Sequence, residues 1–216
     1  MTSTVADAPR QRRGRLRFES ILDAAESVLQ QRGTTEISLP EVAAAAGVPP
    51  ASLYHYFPNT RVLLFELARR YMEKFEVLAE EEVDHDRLEA WTDLFRIHCD
   101  RALDFYRSHP VAMRLLLGPE SGWQIRSADL SANRQIGEIQ YDRLLRHFVV
   151  PDSDELARAL PVSMTIGDAI WALSFARDGD VTPEMAAESL RARIAYLRLY
   201  IAENTPKRVH PLGVDP

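Results

Sequence analysis

SLPEVAAAAGVPPASLYHYF, residues 38–57, reads as two short helices joined by a tight turn. Ser38, with Glu41 three residues on, has the form of a capping box, and Pro40 falls in a first turn, where its missing N–H costs nothing. Val42, Ala43 and Ala46 give this helix a narrow apolar stripe, and Gly47 supplies the permissive backbone that ends it. Pro49 and Pro50 can only open the next helix, predicted over Ala51–Phe57, where Leu53 and Phe57 lie one turn apart as the inward face. Ser52, Tyr54, His55 and Tyr56 are left pointing elsewhere.

A helix that offers hydroxyls and an imidazole but no charge suits the DNA major groove, where base edges are read by hydrogen bonds and methyl contacts. An ordinary helical hairpin shares the bare pattern. The residues on its C-terminal side decide between them: GVPPASLYHYFPNTRVLLFELA resembles the DNA-binding signature of the TetR family of repressors, with its Gly-Val turn, Leu-Tyr pair, aromatic at Phe57 and new helix from about Asn59 to Arg61. The resemblance covers roughly residues 18–67. Where that family places a phosphate-contacting lysine at the start of its fourth helix, this chain has Thr60 followed by Arg61. Either Arg61 takes the phosphate or that contact is weak here.

The resemblance implies an all-α homodimeric regulator, with a three-helix helix-turn-helix head at 17–61 and an effector-binding and dimerisation body at 62–203. It further implies that the last two helices of each subunit form a four-helix interface. A small molecule in the body then tilts the long helix starting at Thr60 and changes the separation of the two reading helices, which half-sites one helical turn apart hold at about 34–36 Å. Candidate DNA contacts are Arg15, Arg17, Ser38, Pro50, Ala51, Ser52, Tyr54, His55, Tyr56, Thr60 and Arg61.

Composition sets the frame. In 216 residues, a hydrophobic share of 46% is ample for a packed core, and no apolar run approaches the ~20 residues of a membrane span. The start MTSTVADAPRQRRGR is basic without the apolar centre of a secretory signal, so a cytoplasmic protein is expected. One cysteine, Cys99, excludes an intramolecular disulfide and a multi-cysteine metal cage, and reads as a small core residue. The net charge of −6 argues at first against nucleic acid, but residues 1–61 carry seven arginines against six acids while residues 62–216 hold 19 basic and 26 acidic residues. Five of those arginines fall between Arg10 and Arg17, beside Pro9 and Gly14, and residues 1–16 are read as a flexible basic arm that tracks phosphates or enters the minor groove.

Helical periods are read over Arg17–Arg32, from Thr60 to about Glu82, over 87–108, Val111–Leu117, from about Ser127 to Val149, from Asp152 (a capping box with Glu155) to Arg177, and from Thr182 to beyond Ile201; residues 204–216 are expected to be a disordered tail. The adjacent His98-Cys99-Asp100 cannot converge on one ion from a helix, and no G-x-S-x-G, phosphate-binding glycine loop or HExxH is present, so neither metal, cofactor nor enzyme is expected. Phe95, His98, Met113, Trp123, Trp171 and Phe175 are the candidate lining for a small apolar or aromatic effector, with His98 as its polar anchor. Met164, Ile170, Leu190, Ile194, Leu197 and Ile201 are the candidate dimer contact, and Arg191, Arg193 and Arg198 are read as lying off that stripe. The expected partners are a palindromic double-stranded operator, the effector and a second copy of the chain, with no membrane; the alternative is a helical ligand-binding protein or enzyme with a vestigial head.

Overall fold

A computed structural model describes residues 7–119 and 122–213. Among them run α1 (Asp7–Arg32), α2 (Leu39–Ala45), α3 (Pro50–Tyr56), α4 (Thr60–Glu80), α5 (Thr92–Ser108), α6 (Pro110–Leu117), α7 (Trp123–His147), α8 (Asp154–Asp178) and α9 (Pro183–Leu197), with a 3₁₀ turn at His85–Arg87 and no strand. The all-α expectation holds. The chain divides into two units between Arg69 and Arg70, eight residues beyond the expected boundary at Arg61.

In the first unit α1 packs on α2 and α2 on α3. Ile21, Leu22, Ala25 and Leu29 of α1 close over Val42, Ala43, Leu53 and Phe57, all essentially inaccessible, and Phe18 stacks on Phe57 with ring centres 4.9 Å apart. Gly47 has φ +63°, which a side chain would strain, and it turns the chain from α2 into α3. Two expectations fail here. Ser38 stands at the N-cap of α2 but its side chain accepts no hydrogen bond; the Glu41 carboxylate is instead taken by Arg32 at 2.7 Å, so no capping box closes. The segment expected to be an irregular basic arm is helical from residue 7 onward: α1 begins at Asp7, ten residues before the expected start, and carries Arg15 and Arg17 on helix. Gly14 lies inside that helix, and its neighbours Arg12, Arg13 and Arg15 are helix formers. Residues 1–6 lie outside the described residues.

In the second unit α7 packs on α8 and α8 on α9, and α5 packs on α9. Leu88, Trp91, Phe95, Leu144, Phe148, Leu156, Leu160 and Leu197 form its centre. Two glycines set the helix spacing: a Cβ at Gly137 would lie 2.8 Å from Cδ of Pro161, and one at Gly167 would lie 2.7 Å from Cδ of Arg193. The capping box expected at Asp152 does not form, and the N-cap is the next residue. Ser153 caps α8 by accepting from the Leu156 N–H at 3.2 Å, while Asp152 accepts from the Tyr141 hydroxyl at 2.6 Å.

The expected disordered tail is anchored as far as Leu212. Val149 N–H donates to Pro206 O, Arg208 N–H to His147 O and Leu212 N–H to Arg146 O, at 2.9, 2.9 and 3.0 Å. α8 also departs from the composition reading. Over an 18-residue window its mean hydropathy reaches 1.3, long and apolar enough to cross a membrane; instead it packs between α7 and α9.

Candidate nucleic-acid interface and effector cavity

The first unit's core uses two residues of α3, Leu53 and Phe57 at its C-cap, and leaves the rest of the helix outward. Pro50, Ala51, Tyr54 and His55 are exposed, and Ser52 is partly so. Tyr56 is only half available: its ring meets Phe18 edge-on at 6.2 Å, and its hydroxyl lies 3.8 Å from the position of a Cβ on Gly14. Gly14 thus brings α1 against the end of α3, and its neighbours Arg12, Arg13, Arg15 and Arg17 are exposed. After α3, α4 opens with Asn59 as its cap, Oδ1 accepting from the Val62 N–H at 3.0 Å, which puts Thr60 and the exposed Arg61 at a helix N-terminus where phosphate is favoured. Ser38 is exposed at the start of α2.

A cavity of about 40 Å³, partly open to solvent, lies in the second unit between Met72 and Phe75 of α4, His98, Ala102 and Tyr106 of α5, Asp129, Asn133 and Ile136 of α7, Met164, Asp168 and Trp171 of α8, and Ser189 and Arg193 of α9. Its polar groups are ordered. Arg126 donates to Asp129 at 2.6 Å and Asn133 Nδ2 to Asp168 Oδ2 at 2.5 Å. Burial and the charge of Asp168 push the Asp129 carboxyl up to about 7 against the pull of Arg126, and burial likewise raises Asp168. The same burial, with both carboxylates, holds the Tyr106 phenol well above its ordinary range. Arg193, nearly inaccessible, donates to Cys99 Sγ at 3.1 Å and Gln140 Oε1 at 3.2 Å and lies over the Phe95 ring. Burial and the charges of Arg193, Arg143 and Arg101 depress His98 to about 3, so it is a neutral imidazole.

A family model described as "Bacterial regulatory proteins, tetR family" matches residues 21–67, and one described as "Tetracyclin repressor-like, C-terminal domain" matches residues 89–201, over half of the chain. The chain belongs to the TetR family of bacterial transcriptional regulators. It is 34% identical over 95 residues to the HTH-type transcriptional regulator EthR of Mycobacterium tuberculosis, a match that covers 40% of this chain and 44% of that protein. The chain thus spans under half the length of that curated relative. The folds of a TetR-family regulator from Streptomyces coelicolor (TM-score 0.67, 24% identity, 87% of this chain and 99% of that one) and of one from Rhodococcus sp. RHA1 (TM-score 0.62, 19% identity, 85% and 96%) are similar.

As a TetR-family member the chain keeps its cavity in its own second unit, but the walls differ from the sequence expectation. Of six expected lining residues only His98 and Trp171 stand in it. Phe95 borders a smaller neighbouring cavity with Arg101, Gln140 and Arg143, Met113 is buried away from both, Phe175 lines neither, and Trp123 at the first turn of α7 is 75% exposed. The expected apolar lining is corrected to a mixed one, because Asp129, Asn133, Asp168 and Arg193 turn into the cavity from helices whose apolar periods do not include them. The dimer candidates divide as well. Met164 lines the cavity and Leu197 and Ile201 belong to the core, so these three are satisfied within one copy. Ile170, Leu190 and Ile194 are partly accessible, whereas Val162 and Leu173 are 45% and 59% exposed.

Proposed function

We propose that the protein is a cytoplasmic, homodimeric repressor that binds a palindromic operator through α3 and is released when a small molecule fills the cavity of the second unit. The outward face of α3 carries this reading. It is uncharged and hydroxyl-rich, its packing needs are met by Leu53 and Phe57, and exposed arginines stand on the neighbouring helices, Arg12, Arg13, Arg15 and Arg17 on α1 and Arg61 in the first turn of α4. In such an arrangement Ser52, Tyr54 and His55 touch base edges, Pro50 and Ala51 offer apolar contact to thymine methyls, and Arg15, Arg17, Ser38, Thr60 and Arg61 hold phosphates, with Tyr56 reaching the backbone from its place against α1. Arg61 takes the role of the missing lysine.

The dimer contact is assigned to Val162, Ile166, Ile170 and Leu173, which recur at three- and four-residue spacing on one side of α8, together with Leu190 and Ile194 of α9. Coupling runs along α4. One continuous helix holds Thr60 and Arg61 at its start and Met72 and Phe75 in the cavity wall, so a ligand that fits only one setting of that wall alters the position of the phosphate-binding end. The test is selection of DNA by the purified protein from a random pool. A palindrome with half-sites one helical turn apart is expected; enrichment of no sequence, or of one without two-fold symmetry, refutes the reading.

A further inference from the structure

The cavity holds two carboxyls that an uncharged effector leaves unused. Asp129 on α7 and Asp168 on α8 oppose each other's ionisation inside the protein, and among the described residues only Asp129 has a guanidinium within bonding reach, that of Arg126. Asp168 has the Asn133 amide. The other guanidinium in the wall, Arg193, lowers Asp168 through its charge but makes no hydrogen bond to it: its two NH₂ groups donate to Cys99 and Gln140, and its Nε–H is buried without a partner. A second observation points to a ligand: Trp171, 4% exposed and in the same wall, buries its indole N–H without a partner. A buried donor left unpaired is costly unless something supplies an acceptor.

Building on the effector reading, we propose that the cavity takes a protonated amine on an apolar or aromatic body, its ammonium between Asp129 and Asp168 and an oxygen acceptor beside the Trp171 N–H. The rings of Phe75, Tyr106 and Trp171 stand in the same wall, and ring faces attract cations. The ammonium exchanges for the proton that the pair retains near neutrality, so one N–H···O⁻ contact forms and one proton leaves to solvent. The other charged groups permit this. His98 on α5 is neutral, Tyr106 on α5 stays a phenol, Arg126 on α7 is paired with Asp129, Arg193 on α9 is held by Cys99 and Gln140, and α6 contributes one ionisable side chain, Arg114.

Three probes share one body and differ in the head: 2-phenoxyethylamine, 2-phenoxyethanol and phenoxyacetate. Calorimetric titration in buffers of different ionisation enthalpy is expected to show the ammonium binding at least tenfold more tightly than the alcohol, with close to one proton released at pH 6 and an affinity that rises up to tenfold per pH unit between 5.5 and 7. Asp168→Asn and Asp129→Asn each remove that preference while alcohol binding persists, which reports an intact site. Equal or tighter binding of the alcohol or of phenoxyacetate, binding of none of the three, absence of proton release, or a preference that survives both variants overturns the assignment. DNA release is read separately by fluorescence anisotropy: an ammonium that binds with the stated preference yet leaves the DNA complex intact refutes the effector role and leaves the ligand class standing.

Discussion

The carboxyl pair makes the protein's stability depend on pH in a direction opposite to the usual one for acids. Asp129 keeps its proton to about 7 when folded, whereas an unfolded aspartic acid loses it near 3.8. Between those values the native state binds more protons than the unfolded state, so stability falls as pH rises, by roughly 1.4 kcal/mol per unit for one proton. The contribution is fully present below about pH 4 and lost by about pH 7, some 4 kcal/mol in all, counted once for the pair because the two sites titrate together. Asp129→Asn keeps the shape and removes the proton. The wild type should therefore lose stability relative to the variant as pH goes from 5 to 7, by about 2 to 3 kcal/mol, and the difference should level off above pH 8. Urea unfolding of both proteins at pH 5, 6, 7 and 8, at one protein concentration, measures this; taking the difference cancels every other titrating group and the lost Arg126 ion pair to the extent that they are independent of pH. A difference that stays flat from pH 5 to 7 would show that Asp129 is ionised throughout and that the cavity is not the low-polarity site described.

Other substitutions test other parts of the structure. Tyr54→Ala or Ser52→Ala should each weaken specific DNA binding by about 1 to 3 kcal/mol and leave nonspecific binding unchanged in competition assays. Replacing Arg12, Arg13, Arg15 and Arg17 by alanine should flatten the slope of log affinity against log salt, and an unchanged slope would assign α1's extension no phosphate contact. Val162→Glu with Leu173→Glu should give folded monomers in sedimentation, whereas Leu197→Glu should unfold the second unit, because Leu197 is fully buried in its core. Gly167→Ala should cost about 1 to 3 kcal/mol in thermal unfolding, since its Cβ meets Arg193 and Ser189 at 2.7 and 2.9 Å.

The head is legible in the sequence because its determinants are local. Gly47 in the turn and Leu53 and Phe57 one turn apart have roles fixed by residues within a few positions, and they keep those roles in the structure. The body is legible as helices and much less as surfaces. Leu197 and Ile201 form a stripe at helical spacing, but a stripe can face the subunit's own core or a second copy, and periodicity does not separate the two. The tail has no period to read, since backbone groups around His147 and Arg146 hold it. Trp123 as a lining residue rests on hydrophobicity alone, which does not imply burial.

The cavity's polar side is hard to read for a different reason, although the sequence does contain a signal for it. Asp168 stands in an otherwise apolar stretch of α8 and Arg193 among the solvated arginines of α9, yet each sits against its neighbour across Gly167. A glycine in the middle of a helix costs roughly 1 kcal/mol against alanine, so its presence there marks a close approach. The residue next to it is a carboxyl, and an ionisable group beside a close approach is buried and has to be matched. Ser189 completes the contact by donating to the Gly167 carbonyl at 3.1 Å, which holds α9 near enough to α8 for Arg193 to reach Cys99 and Gln140. That guanidinium pulls Asp168 down through its charge, but its hydrogen bonds go to Cys99 and Gln140, so among the described residues Asp168 is bonded to the neutral Asn133 amide and to no cation.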